Sequence, residues 1–344
     1  MIKSLVTGGA GYFGDLLTRK LLERGHFVRI LDINLPAENY PGTEVVQADI
    51  RDPHAILSAC EGIDVVFHNA AELALAKNKE LMWSVNRDGT KNLLESCAHC
   101  AVKQVIYTSS SAVYGIPKSN PVTEETVPTP AEDYGRAKLA GEDLCRQYAR
   151  KGLDVSIVRP CTLMGHGRLG IFQILFEWIY RGDNVPVLDD GKNIYQFVHA
   201  DDFAEACIQT SIQKGADQFN CGTDRFGTMR EVLEHLCRHA GTGSKVKSLP
   251  MRPIIAAMNL SASLGVSPLG SYHASMYGRS FYFDISKARA KLEWAPRYSN
   301  NEMFIESYDW YVANRANVLA SIRTGSQHQS AVNQGVLKLL HWFL

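Results

Sequence analysis

The stretch SLVTGGAGYFGDLLTRKLLERGHFVRILD, Ser4 to Asp32, sets four glycines (Gly8, Gly9, Gly11, Gly14) between an apolar run and an amphipathic one. Glycine has no Cβ, so Gly8, Gly11 and Gly14 let the chain turn tightly from strand to helix and bring backbone N–H groups up to a pyrophosphate. The helix that follows adds the partial positive charge of its N-terminus. The spacing is GxxGxxG rather than GxGxxG. An acid, Asp32, closes the next apolar run eighteen residues past Gly14. A carboxylate there accepts both hydroxyls of an adenosine ribose and repels a 2′-phosphate, which predicts NAD over NADP. The plainer reading, an Asp capping a turn at a strand end, is outweighed by the glycines in front of it.

Outward from that stretch, short β-branched runs alternate with helical ones. Strands are predicted at Lys3–Thr7, Val28–Asp32, Glu44–Gln47, Asp64–His68, Gln104–Thr108 and Asp154–Val158, with helices such as Asp15–Arg24 and Arg87–His99 between them. This alternation implies βαβ units. The near-unbroken apolar runs DVVFH and KQVIYTS suit a sheet covered on both faces. The expected fold class is α/β, a Rossmann-type doubly wound parallel sheet with a smaller C-terminal substrate-binding lobe. Its core is expected over 1–160, completed by about 193–221, with the lobe over 161–192 and 222–312. Within the lobe, IFQILFEWIYRG reads as an apolar helix covering the lobe interface, and IYQFVHADDFAEACIQT as a strand entering a helix capped by Asp201 or Asp202.

Composition narrows the field. Lys+Arg and Asp+Glu are equal at 36 each and hydrophobic content is 45%, which argues against nucleic-acid partners and against disorder. No signal peptide is visible in MIKSLVTGG, and eight scattered cysteines predict reduced thiols in a cytoplasmic protein. Cys97 and Cys100 form CxxC inside a helix and read as a packed face. His235, Cys237 and His239 lack the further ligand that zinc needs, so no metal is expected. Residues 313–344 read as a polar linker and an apolar helix, GVLKLLHWFL, with Val336, Leu337, Leu340, Phe343 and Leu344 at helical spacing. It is too short to cross a bilayer; docking on its own domain or a dimer mate is favoured over peripheral membrane contact.

Further stretches line up in order: ADIRD (48–52), HNAA (68–71), VNRDGT (85–90), YTSSSAVYG (107–115), YGRAK (134–138), RP (159–160) and FVHADD (197–202). With TGGAGYFG they closely resemble the extended short-chain dehydrogenase/reductases, the NAD-dependent epimerase/dehydratase family, over roughly the first 300 residues. The resemblance implies a small-molecule substrate, a homodimer, and NAD held by Gly8, Gly11, Tyr12, Phe13, Gly14, Asp32, Asp49, Ile50, Ala70, Ala71, Tyr134, Lys138 and Pro160. It also implies that Asn86 begins or bends a helix and holds a water or carbonyl in a proton relay; an ordinary polar residue at a helix start is the alternative.

Tyr134 and Lys138 are four apart, which on a helix puts them on one face. A free phenol ionises near 10, and an ammonium and a cationic nicotinamide beside it favour the phenolate. Tyr134 is therefore the expected general acid/base, Lys138 its electrostatic partner and Ser110 the hydrogen-bond donor to the reacting oxygen, with Ser109 and Ser111 as its near neighbours. Ser110–Ala112 replaces the TDE of the family's dehydratases, so loss of water is disfavoured.

Hydride transfer at a secondary alcohol through a ketone remains, as a 4-epimerase-like reaction on a nucleotide-sugar, with Ser111, Arg168 and Tyr195 as substrate contacts. The Tyr114 stretch favours this reading. CTLMG (161–165) and Tyr195 depart from the sugar-nucleotide pattern, and Arg168 or Lys192 is then needed for the phosphates. The low-charge run Met251–Tyr277 suits the alternative, a 3β-hydroxysteroid or β-hydroxy-acid type of dehydrogenase or reductase. A non-catalytic NAD-binding protein is the lesser alternative, disfavoured by an intact Ser, Tyr and Lys.

Overall fold

A computed structural model describes residues 1–73, 78–169, 172–256, 276 and 278–320. Seven parallel strands form the central sheet: β1 (Lys3–Thr7), β2 (Phe27–Asp32), β3 (Thr43–Gln47), β4 (Val65–His68), β5 (Gln104–Thr108), β6 (Val155–Pro160) and, from much later in the chain, β10 (Gln218–Cys221). Their order is β3-β2-β1-β4-β5-β6-β10. Strand order reverses between β1 and β4, where Thr7 pairs with His68, and in sheets of this kind a crevice lies beyond the carboxyl ends of the two strands at that point. Ligands bind at such switch points.

Helices cover both faces, which is why β4 is buried at all four positions. On one side α1 (Tyr12–Glu23) and α7 (Ala200–Ile212) bury Leu16, Leu17, Leu21, Phe203 and Ala204. On the other, α2 (Pro53–Cys60), α4 (Thr90–His99) and α5 (Asp133–Arg150) bury Ile56, Leu93, Leu94 and Cys145. A short α3 (Lys79–Trp83) runs into a π-helical turn, Ser84–Gly89, so α4 begins at Thr90 rather than Arg87.

A separate cluster is built from α6 (Phe172–Arg181), α8 (Met229–Ala240) and α10 (Asn300–Ala320), with two small parallel sheets, β7 (Thr162–Met164) on β9 (Phe197–His199) and β8 (Val185–Leu188) on β11 (Val246–Leu249). Phe176 of the FEWIY run meets Phe304 and Tyr308 edge-on there. A short α9 (Ser286–Leu292) packs back on the sheet side through Ala288 and Leu292.

Helix α7 corrects the expected cap. His199, not Asp201 or Asp202, is its N-cap, its side chain accepting from the Asp201 amide, because the strand runs to His199 and helical dihedrals begin at Ala200. Asp202 instead lies buried in the first turn and accepts from the Arg297 and Tyr298 amides. All eight cysteines are free thiols. Among the described residues no helix is long and apolar enough to cross a membrane. The C-terminal apolar helix and most of Met251–Tyr277 lie outside the described residues.

A Cβ on Gly14 would stand 2.1 Å from the Gly8 carbonyl oxygen, a backbone atom that cannot rotate away. Gly14→Ala is therefore expected to cost ~1–3 kcal/mol of stability through overpacking, read as a lower urea midpoint, and to weaken NAD binding in a direct titration.

Candidate active site

The glycine turn occupies the crevice. Gly8 sits at φ +69°, and a Cβ there would lie 2.8 Å from the Ala70 nitrogen, so β1 and β4 approach at their ends only because this residue has no side chain. Ala70 is fixed in turn by donating its N–H to Thr7 Oγ1. Helix α1 starts after Gly11 with no side-chain cap, leaving its first N–H groups for a ligand. Asp32 accepts from the Ala10 amide at 3.1 Å and the Asn34 amide at 2.9 Å, which aims its carboxylate at the rim of the turn. The uncapped helix, the Cβ-free cradle and the oriented carboxylate fit a dinucleotide.

The remaining residues expected around that ligand are distributed along the same edge. Phe13 packs on Phe203. Asp49 is gripped by the Arg51 guanidinium, which holds its carboxyl below the usual range, while Ile50 is buried against Gly89. Ala71 follows Ala70, and Pro160 ends β6 on the far side.

Asn86 lies in the π-helical turn, 1% exposed, its Oδ1 accepting from the Glu72 amide and its Nδ2 donating to the Glu72 carbonyl. It thus clamps the chain leaving β4. Irregular turns of this kind recur at functional sites.

Tyr134 and Lys138 share the face of α5 that meets the end of β5. The Ser110 hydroxyl, within reach of Tyr134, caps the 3₁₀ turn Ser111–Tyr114 by accepting from the Ala112 amide. Lys138 is buried and donates from Nζ to the Thr108 carbonyl at 2.9 Å, over the ring of Tyr107. Burial pushes its pKa down to about 8. The electrostatics differ from the sequence expectation. Burial raises the Tyr134 phenol, and the influences that lower it are the Ser110 hydrogen bond and the charge of Arg168, not that of Lys138. The neighbouring serines are distinguished clearly: Ser109 is buried and donates to Glu142 Oε1, and only Ser110 meets the phenol.

Arg168 lies on the loop after β7, its guanidinium 5.7 Å from the ring centre of Tyr12 and within electrostatic reach of Tyr134. Among the described residues no carboxylate pairs with it. Burial lowers its pKa, as it does for any cation without a counter-charge. Lys192, by contrast, is exposed and paired with Asp190. The other substrate candidates are less central. Ser111 opens the 3₁₀ turn, and the Tyr195 hydroxyl meets Thr162 Oγ1 at 3.1 Å, with burial pushing its pKa up to about 12. Tyr114 is buried behind the site, its hydroxyl accepting from Arg159.

Two features escaped the sequence. Glu132, the N-cap of α5, makes no side-chain capping bond, and burial pushes its carboxyl up to about 7. Its position two residues before Tyr134 was the available signal. The second is a cluster of His166, His199 and Glu306. Because the Asp201 amide occupies Nδ1 of His199, the ring proton belongs on Nε2, which donates to Glu306 at 2.6 Å. That proton takes the lone pair a metal ion would need, and the cluster works as a clasp between α10 and the loop that carries Arg168.

The sequence pattern of the NAD dependent epimerase/dehydratase family matches residues 4–222. An uncharacterized protein of Sinorhizobium fredii, y4nG, is 54% identical over 99% of this chain and 86% of its own length. A UDP-glucose 4-epimerase of Mycolicibacterium smegmatis is 29% identical over 90% of this chain and 98% of its own. A 3 beta-hydroxysteroid dehydrogenase/Delta 5→4-isomerase of Mycobacterium tuberculosis is 28% identical over 90% of each. Among solved structures, a UDP-glucuronic acid 4-epimerase from Bacillus cereus in complex with NAD superposes with a TM-score of 0.73 at 25% identity, covering 91% of this chain and 99% of that one.

An unperturbed Glu ionises near 4.3, but Glu132 in the folded chain keeps its proton to about 7. Between those values the folded state binds the extra proton, so this group lowers stability as pH rises through the window. Glu132→Gln is expected to melt like the parent at pH 4 and at a higher temperature at pH 8, in thermal scans across that range.

Proposed function

Because this chain belongs to the NAD-dependent epimerase/dehydratase family and uses NAD, we propose that it is a 4-epimerase-like enzyme acting on a nucleotide-sugar. The observation that carries the substrate reading is Arg168. A half-buried guanidinium between Tyr12 and Tyr134, with no carboxylate partner among the described residues, gains a counter-charge from an anionic diphosphate and none from a sterol.

In this reading Gly8, Gly11, Gly14 and the first turn of α1 receive the cofactor's pyrophosphate, and Asp32 its adenosine ribose. Bound NAD supplies a hydride acceptor that can return what it takes. Ser110 donates a hydrogen bond to the substrate oxygen and Tyr134 takes the hydroxyl proton, then gives it back. Lys138, anchored on the Thr108 carbonyl, is the residue that would hold the nicotinamide ribose. Burial and the Glu132 charge raise the phenol, and a cationic nicotinamide ring bound beside it would favour its ionised form. Asn86 holds the Glu72 backbone in place beside this relay. Epimerisation requires the ketone to present its other face before the hydride returns.

Tyr134→Phe should bind NAD as tightly as the parent by titration while turning over UDP-glucose at least ~10²-fold more slowly, since the proton acceptor is gone. Full turnover by the variant overturns the mechanism. Stoichiometric NADH from a 3β-hydroxysteroid, with no epimer formed from UDP-sugars, overturns the substrate assignment.

A further inference from the structure

Helix α5 grips the end of β5 at three successive residues. Lys138 Nζ holds the Thr108 carbonyl at 2.9 Å, Glu142 Oε1 accepts from Ser109 Oγ at 2.6 Å, and Tyr134 comes within the influence of the Ser110 hydroxyl, which lowers the pKa of its phenol. The three helical partners are each one turn apart, on one face. Two glycines let that face lie flush on its neighbours. A Cβ on Gly141 would stand 2.2 Å from the Tyr107 hydroxyl, and one on Gly135 2.4 Å from the Ala112 carbonyl oxygen.

Of the three ties, the middle one takes no part in the chemistry proposed above, yet the protein builds most around it. Glu142 is 0% and Arg159 1% exposed, joined by two bonds of 2.7 Å. Arg146 adds a third donor to the same carboxylate at 2.7 Å. Behind Arg159, the Tyr114 hydroxyl accepts from Nη1 at 2.7 Å and lies 3.1 Å from Asn220 Oδ1 on β10. A buried carboxylate with this many donors has a fixed position, and so has the serine that donates to it.

We propose that Glu142, braced by Arg159, is a positioning residue that sets the placement of Ser110 against Tyr134 through Ser109. The inference rests on the Ser110–Tyr134 assignment made above. Ser109 cannot rotate without releasing a charge-assisted bond, and Ser110 is the next residue along the same backbone. A displacement of about 1 Å between reacting groups costs about 10²-fold in rate, so the tie has room to matter.

Ser109→Ala cuts the tie and leaves the Glu142–Arg159 pair intact, which makes it a safer variant than Glu142→Gln. It is expected to lower kcat on UDP-glucose about 10-fold to 100-fold with KM, NAD affinity and melting temperature near the parent's. The phenol titration of Tyr134 in the NAD complex, read as the ultraviolet difference from a matched Tyr134→Phe protein, should move to higher pH as the Ser110 hydrogen bond loosens. Arg168, Glu132 and Lys138, the charged groups around Tyr134, are unchanged in both proteins. Ser109→Thr, which keeps the hydroxyl, should restore both readouts. Parental kcat and titration in Ser109→Ala overturn the proposal, and so does a fall in melting temperature and kcat together with no shift of the phenol. If the parent turns over no UDP-sugar, the substrate reading fails, while the titration still decides on Ser109.

Discussion

Between β1 and α1 the chain reverses in a space that has no room for one more methyl group. The Gly8 carbonyl would lie 2.1 Å from any Cβ on Gly14, and the Gly8 Cα faces the backbone of Ala70. This contact brings the ends of β1 and β4 together at the point where strand order reverses, and it lays an uncapped helix end along the crevice. Asp32 ends β2, which pairs with β1, and Asn86 clamps the chain that leaves β4, so both are carried to the same end of the sheet.

Charge in the interior is managed in two contrasting ways. Glu142 and Arg159 neutralise each other with several bonds, an arrangement that costs about 3–5 kcal/mol if one partner is removed. Lys138 and Arg168 sit near the Tyr134 phenol, and among the described residues no carboxylate pairs with either. Burial pushes Lys138 down to about 8 and lowers Arg168, so both cations are held at a cost that an anionic ligand relieves. The structural charges are satisfied, and the ones at the crevice are left available.

Much of this was legible in the sequence because its signals are local. Lys3–Thr7 and Gln104–Thr108 are bounded by their own β-branched runs and fall where the pattern places them. The glycine turn and the Tyr134–Lys138 spacing encode geometry within one element. What escaped depends on tertiary contacts. Arg87 and Asp88 fit a helix by periodicity, but Asn86 clamping Glu72 comes with a π-helical turn there. Asp201 carries the right residue type for a cap, yet the strand pairing of β7 with β9 runs on to His199 and moves the helix start. The same holds for the electrostatics. Four-residue spacing put Lys138 beside Tyr134, but the Thr108 carbonyl directs the ammonium elsewhere and burial, which no spacing reveals, governs the phenol.

The last strand of the sheet arrives late. Gln218–Cys221 pairs with Val155–Pro160 across some sixty residues that build part of the other lobe, and the Cys161 amide closes on the Cys221 carbonyl. During synthesis the strand containing Arg159, paired only with β5, therefore waits with its outer edge open until that intervening segment has emerged. Such non-local pairing slows folding and exposes an aggregation-prone surface in the interim. A chain cut after Pro160 would keep every residue of the glycine turn and of the Tyr134 helix, yet present that bare edge permanently.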